Sequence, residues 1–194
     1  MQPFNLSLPH RIVEAANWSR HIAPQMKRWL VLHSMEAPEK GDTAELVARY
    51  FARPSTRASA HFCVDRDSIV QCVPAELVAW HAPGLNTKGI GIEHAGYARQ
   101  TRAEWLDSYG LAMLDMSARL CAELCHHFAI PVEAVGAAEL LAGVPGITTH
   151  AQVTRAYPTK GTHTDPGPGF PMREFLDTIR RYRDAGSWLR GTEP

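Results

Sequence analysis

The chain has 194 residues, and its 20 basic and 20 acidic side chains give a formal net charge of zero. Such a chain lacks the bulk positive charge that attracts nucleic acids or anionic membranes, so we expect neither as a partner. Hydrophobic residues make up 45% of the sequence, which is typical of a globular domain and argues against wholesale disorder. The ten histidines are unusual, because histidine is the commonest metal ligand and titrates near neutral pH.

We predict one domain over residues 1–194, with a core of about 25–183 and a short arm at each end. The N-terminal stretch 1–19 has no continuous apolar run, so we expect no signal peptide and synthesis in the cytoplasm. No run of about 18 apolar residues occurs, so we also expect no membrane span. The oligomeric state stays open, with a monomer favoured.

The first half of the chain predicts strands separated by one helix. The apolar segment 29–33 is typical of a buried strand, and Thr43 begins a helix with an apolar face. The segments 60–64 and 69–73 flank a polar turn and predict a hairpin, and 89–94 predicts another strand. The apolar face of the helix comprises Leu46, Val47, Tyr50 and Phe51.

The second half predicts one long helix from Thr101 to Pro131, in which Glu104 completes a capping box and Trp105 lies in the buried stripe. A short helix (132–141), a strand (147–150), a long loop (151–169) and a helix from Pro171 follow. Loops of that length in compact domains are usually functional. The alternation predicts an α/β domain with a central mixed sheet flanked by helices.

The four cysteines form no CxxC pair and are interpreted as free thiols, with a Cys63–Cys72 disulfide across the hairpin as the alternative. Cys121 and Cys125 precede His126 and His127 on the long helix. Residues four apart share a helix face, so a second metal site is conceivable. We favour core packing for this run, because free cysteine is a common core residue.

Three polar residues lie at the ends of predicted elements or in a rigid turn. His33 closes the first strand, His150 closes a later one, and Asp165 lies in a Pro/Gly-rich turn. Two imidazoles and one carboxylate, with a fourth position left to water, are a ligand set typical of catalytic zinc. Ten histidines allow many such triples, so spacing alone leaves an ordinary polar role open for each.

Six segments, in this order, carry a resemblance to a known family: Val31-Leu32-His33-Ser34, Ala60-His61-Phe62-Cys63-Val64-Asp65, Trp80-His81-Ala82, Ile90-Gly91-Ile92-Glu93, Ile147-Thr148-Thr149-His150 and His163-Thr164-Asp165-Pro166-Gly167-Pro168. Together they resemble the type 2 N-acetylmuramoyl-L-alanine amidases, a zinc-dependent family that includes peptidoglycan recognition proteins and phage endolysins. The resemblance covers about residues 25–183. It implies the family's mixed sheet packed by helices, and hydrolysis of the amide between N-acetylmuramic acid and L-alanine of peptidoglycan.

Carried over position by position, the resemblance implies that His33, His150 and Asp165 bind Zn²⁺. It also implies that Glu93 is the general base, since a nearby carboxylate can take a proton from the attacking water and pass it to the leaving amine. Many relatives carry Lys two residues before the Asp ligand to stabilise the oxyanion, whereas this chain has His163. We favour His163 for that role, with Lys160 as the alternative.

The resemblance places His81 and Trp80 beside the substrate groove, so we predict that both contact the muropeptide. The alternatives are a hydrogen-bonded loop histidine and an ordinary surface tryptophan. We expect His94 to face away from Glu93 by strand alternation, and His61 to lie in the core.

The expected role is a phage or prophage endolysin that is made in the cytoplasm and acts on the cell wall after release. The alternatives are a cytoplasmic amidase that recycles anhydro-muropeptides and a peptidoglycan-binding protein without catalysis.

Overall fold

The computed structural model describes residues 4–8, 10–20 and 26–186. The predicted C-terminal arm lies outside the described residues from 187 onward. Within the described ranges the strands are β1 (Arg11–Ile12), β2 (Trp18–Ser19), β3 (Trp29–Ser34), β4 (Phe62–Val64), β5 (Ile69–Gln71), β6 (Val78–Ala79), β7 (Gly89–His94) and β8 (Gly146–Thr149). The helices are α1 (Thr43–Phe51), α2 (Arg102–Trp105), α3 (Ser108–His127), α4 (Ala137–Leu141), α5 (His150–Ala156) and α6 (Met172–Ala185).

Six strands form one mixed sheet in the order β1-β5-β4-β7-β3-β8, and β2 and β6 form a separate two-stranded ribbon. Strands β4, β7, β3 and β8 are parallel to one another, whereas β5 is antiparallel to β4. The central mixed sheet flanked by helices confirms the predicted fold class. Parallel strands bring their carboxyl ends to one edge of a sheet, which is where α/β proteins usually bind ligands.

Strand alternation divides the core between the two faces of the sheet. On one face, Leu30, Leu32, Ile90 and Ile92 pack against α3 and α6 in a core cluster that also contains Trp105. On the other face, residues of β3 such as Val31 pack with α4, α5 and the loop after β6, and α1 covers the hairpin of β4 and β5. The odd-numbered residues of β3 and β7 therefore share one face, and His33 and Glu93 lie on it side by side.

The predicted long helix consists of two helices, α2 and α3. Thr101 and Glu104 form the predicted capping box on α2, but the side chain of Asp107 then caps a new helix by accepting hydrogen bonds from Tyr109 N and Gly110 N. The break needs glycine at 110, because a Cβ there would lie 2.2 Å from the carbonyl oxygen of Trp105. Trp105 is fully buried, as predicted.

Two further expectations are wrong. The predicted loop 151–169 contains α5, which begins at His150 because the Thr149 side chain accepts a hydrogen bond from Gln152 N at 3.3 Å. The predicted apolar face of α1 is only partly buried, since Leu46 and Tyr50 are half exposed. That helix instead buries Thr43, Ala44, Glu45, Ala48 and Phe51.

The four cysteines are free and buried, which agrees with the favoured interpretation. Cys63 Sγ and Cys72 Sγ lie 3.8 Å apart across the predicted hairpin and form no disulfide bond. Among the described residues, no helix combines the length and apolar character needed to cross a membrane.

Candidate metal centre and active site

Three side chains meet at the carboxyl edge of the sheet. His33 comes from the end of β3, His150 from the first turn of α5, and Asp165 from the following loop. Nδ1 of His33 lies 3.1 Å from Asp165 Oδ2, and Nδ1 of His150 lies 3.2 Å from Asp165 Oδ1. One potential ligand atom from each residue lies within 4.8 Å of the other two. Folding therefore brings together the three residues predicted as ligands.

Local structure holds Asp165 in this position. Its carbonyl oxygen accepts a hydrogen bond from Ala151 N at 2.9 Å, which ties the loop to the first turn of α5 beside His150. The turn then continues through Gly167, whose φ is +87°. A Cβ at Gly167 would lie 1.8 Å from Ala98 O, so both the backbone conformation and the close approach require glycine.

The donor set fits a zinc ion. Burial alone would raise the pKa of Asp165, but hydrogen bonds from His150 and His33 hold that pKa well below its usual range. Burial lowers the pKa of His33, against the opposing effect of the Asp165 hydrogen bond. An ionised carboxylate beside buried imidazole nitrogens is the N/O combination that Zn²⁺ accepts in catalytic sites.

Glu93 lies beside the three predicted ligands. It is the register partner of His33 in the neighbouring strand, and it lines the same cavity. Burial, followed by the negative charge of Asp165, raises the pKa of Glu93 well above its usual value. A carboxyl group that can hold or release a proton at this position is suited to proton transfer.

The alternatives for the oxyanion donor differ in position. His163 lines the cavity and stacks on His150, with ring centroids 3.9 Å apart and planes 16° apart. Its Nδ1 lies 3.8 Å from Asp165 Oδ1, and 54% of its side chain is exposed. Lys160 is exposed in the short 3-10 turn Pro158–Lys160 and does not line this cavity. The geometry thus agrees with the preference for His163, and its role stays a prediction.

The two predicted substrate contacts are in different environments. Trp80 is 38% exposed on the cavity wall, and its Nε1 donates a hydrogen bond to Ser19 Oγ at 2.9 Å. His81 is buried, with Nδ1 only 3.0 Å from His33 Nε2. Substrate contact remains a prediction for both.

The cavity over these groups has a volume of about 390 Å³. Val47, Tyr50 and Phe51 also line it, whereas the helical spacing of α1 predicts a buried face for them. Met35 and Glu36 follow β3 directly and complete that side. A core-facing stripe and a groove-facing stripe have the same helical spacing, so periodicity could not separate them.

His94 and His61 lie where strand alternation and packing predict. His94 Nδ1 donates to the His33 carbonyl oxygen at 2.9 Å, and its Nε2 lies 2.7 Å from Ser117 Oγ on the opposite face from Glu93. His61 Nδ1 accepts from Gly91 N at 2.9 Å, and its Nε2 donates to Leu77 O at 3.1 Å. Both rings are fully buried and join neighbouring backbone segments.

The fold and site together define the class: an α/β protein with a histidine–histidine–aspartate group at the carboxyl edge of its sheet. The family model for N-acetylmuramoyl-L-alanine amidase matches residues 24–168. N-acetylmuramoyl-L-alanine amidase A of Achromobacter lyticus is 30% identical over 160 residues, which cover 77% of this chain and 81% of that protein. The chain therefore belongs to the N-acetylmuramoyl-L-alanine amidase family and is a peptidoglycan hydrolase.

Other similarities cover a shorter segment or have a lower identity. Amidase CwlH of Bacillus subtilis is 36% identical over 70 residues, covering 34% of this chain and 28% of that protein. A solved AmpD derivative superposes with a TM-score of 0.64 at 22% identity, covering 90% of this chain and 97% of that chain. Staphylococcus aureus AmiA, solved in complex with its ligand, gives 0.62 at 16% identity, covering 92% and 87%. At these low identities, the AmpD and AmiA structures show only that this chain has the same fold.

Proposed function

We propose that this amidase holds a catalytic zinc ion between His33, His150 and Asp165, and cleaves the bond between N-acetylmuramic acid and L-alanine. The observation that supports this proposal is the convergence of three potential ligand atoms within 4.8 Å, beside the half-buried carboxyl group of Glu93. When bound, a zinc ion would supply Lewis-acid chemistry, polarising the scissile carbonyl and activating water at neutral pH.

Glu93 moves the proton in this mechanism. Its carboxylate takes a proton from the attacking water and later passes it to the nitrogen of the leaving L-alanine. The raised pKa of Glu93 supports the first half of that cycle, because a more basic carboxylate takes a proton from water more readily. The position of Glu93 beside His33 in the sheet keeps the transfer within the cavity.

His163 stabilises the developing negative charge. A ring N–H can donate a hydrogen bond to an oxyanion in either protonation state of the imidazole. The His163 ring stacks on His150 and lines the cavity, so it is placed where it could donate. The exposed rings of Trp80 and Tyr50 on the cavity walls would hold the sugar and stem peptide by apolar contact.

The biological role that we propose is a phage or prophage endolysin, made in the cytoplasm and acting on the wall after release. The family resemblance and the exposed groove walls support a polymeric substrate. The zero net charge implies that wall binding depends on the groove rather than on bulk attraction to an anionic polymer.

Product analysis tests the proposal. Purified sacculi and soluble anhydro-muropeptides are incubated separately with the protein, and products are identified by mass spectrometry. We expect free stem peptides beginning with L-alanine from sacculi, loss of that activity after chelation, and recovery with zinc. Cleavage of soluble muropeptides alone would indicate a recycling amidase, and an unchanged rate after chelation would reject the zinc mechanism.

A further inference from the structure

We propose that His81 is a positioning residue for the zinc ligand His33, and that Gly91 provides the space in which its ring lies. This inference rests on the zinc site proposed above. It differs from the substrate contact predicted from sequence, because it assigns His81 to the ligand rather than to the muropeptide.

The hydrogen bond between the two rings has the required direction. His33 Nδ1 points to Asp165 Oδ2 at 3.1 Å, while its Nε2 points the other way, to His81 Nδ1 at 3.0 Å. If Nδ1 of His33 binds the metal, the ring proton must reside on Nε2, which then donates to His81 Nδ1. Such an outer hydrogen bond fixes the tautomer and orientation of a ligating histidine.

Burial restricts His81 to this partner. The residue is 7% exposed, and its Nε2 is buried without a hydrogen-bond partner among the described residues. Among the described residues the imidazole therefore has one hydrogen bond, the bond to His33, although the residue also lines the cavity. Leaving one buried nitrogen unpaired costs free energy, which the interaction with His33 must offset.

The ring of His81 occupies the space above a glycine. A Cβ at Gly91 would lie 2.6 Å from Cγ and 2.7 Å from Nδ1 of His81, closer than real contacts allow. Gly91 lies on the same face of β7 as Glu93, two residues before it. The loop is fixed by Asn86, whose Oδ1 accepts hydrogen bonds from His81 N at 3.0 Å and Ala82 N at 2.6 Å.

Zinc affinity tests the inference independently of activity. His81→Leu keeps apolar bulk without an acceptor, and His81→Gln keeps an acceptor. Each folded variant is titrated with zinc against a chromophoric chelator, and its thermal unfolding without metal is recorded as a check on folding. We expect zinc affinity to fall about 10- to 100-fold in His81→Leu and less in His81→Gln. The KM for muropeptide at saturating zinc should change little.

Trp80→Ala is the matched control from the adjacent position. The KM of this variant should rise while its zinc affinity stays at the wild-type value. The Trp80 side chain lines the cavity and is hydrogen-bonded to Ser19 rather than to a predicted zinc ligand. The opposite pattern for His81, a raised KM with unchanged zinc affinity, would overturn the inference and restore the substrate contact.

Gly91→Ala gives a second line of evidence with His81 intact. We expect it to weaken zinc binding in the wild-type background and to add little in the His81→Leu background, because both changes remove one interaction. Fully additive losses would contradict a shared mechanism. Wild-type protein that binds no zinc would overturn the zinc site itself, whereas zinc-binding wild type with unaffected His81 variants would overturn only this inference.

Discussion

Two regions of this molecule contain several potential metal ligands, but only one of them forms a candidate metal site. At the sheet edge, His33, His150 and Asp165 come from three elements and point their ligand atoms at one spot. On α3, Cys121 and Cys125 share a helix face, and thiols are also potential metal ligands. Their thiols lie in the main hydrophobic core, where burial raises the pKa of Cys121 well above its usual value and that of Cys125 to about 12.

The difference shows what makes a metal site. A thiol binds metal as the thiolate, which burial in an apolar core strongly disfavours. The described part of α3 contributes no group of three close ligand atoms, which agrees with the packing role expected from the sequence. The sheet edge differs from α3 because side chains from separate elements converge there, and not because it has more potential ligands.

The largest expected effect comes from removing a ligand. Asp165→Ala should abolish stoichiometric zinc binding and lower sacculus hydrolysis by roughly 10⁴-fold or more, since the Lewis acid is worth several kcal/mol. Zinc content by elemental analysis and a turbidity assay measure the two effects. If Asp165→Ala kept both its zinc and its activity, the sheet edge would not be the metal site that distinguishes it from α3.

Glu93→Gln separates proton transfer from metal binding. We expect roughly 10³-fold lower kcat, in the range usual for loss of a general base, with zinc stoichiometry unchanged. Steady-state kinetics and metal analysis on the same sample check this. A variant with near-normal kcat would exclude Glu93 as the base.

The buried histidines make the metal-free sheet edge sensitive to acid. Burial lowers the pKa of His94 from 6.5 to about 4. The unfolded state therefore binds the extra proton between these two values, so stability should decrease as pH falls from about 6.5 to 4 and then level off. The contribution is on the order of 3 kcal/mol, from 1.36 kcal/mol per pKa unit.

Urea denaturation of the metal-free protein at several pH values measures that slope. His94→Gln should show a shallower decline in the free energy of unfolding over the same window. An identical slope in the variant would mean that His94 does not titrate as its burial indicates.

The oxyanion donor should have a smaller effect than the base. His163→Ala should lower kcat by about 10- to 100-fold, near the lower end for a lost donor because the ring is half exposed. His163→Lys should restore most of that loss. Lys160→Ala is the matched control and should stay within about twofold of wild type, since a surface lysine outside the cavity stabilises no charge there. A larger loss for Lys160→Ala would reverse the assignment.

The smallest effect is expected on α3. Cys125→Ala should cost about 1 kcal/mol of stability through a small cavity, with zinc content and activity unchanged. Thermal unfolding and metal analysis of the variant complete the comparison with Asp165→Ala. Loss of zinc in Cys125→Ala would show that α3 also contributes ligands.

The sequence by itself determined the fold class, the family and the residue types of the site. Short local patterns were enough to predict the strands at 29–33 and 89–94, the capping box at Thr101 and the burial of Trp105. The junction between β8 and α5 also has a local signal, since Thr149 lies three residues before Gln152 and caps the helix. Each of these features depends on neighbours within a few residues.

Only the tertiary structure decided which distant groups meet. His33 and Asp165 are 132 residues apart in sequence and 3.1 Å apart in space, a distance set by sheet order and loop path. The exposure of Tyr50 and the placement of His81 over Gly91 depend likewise on how separate elements pack. Periodicity specifies which side chains share a face, whereas packing between elements specifies what that face contacts.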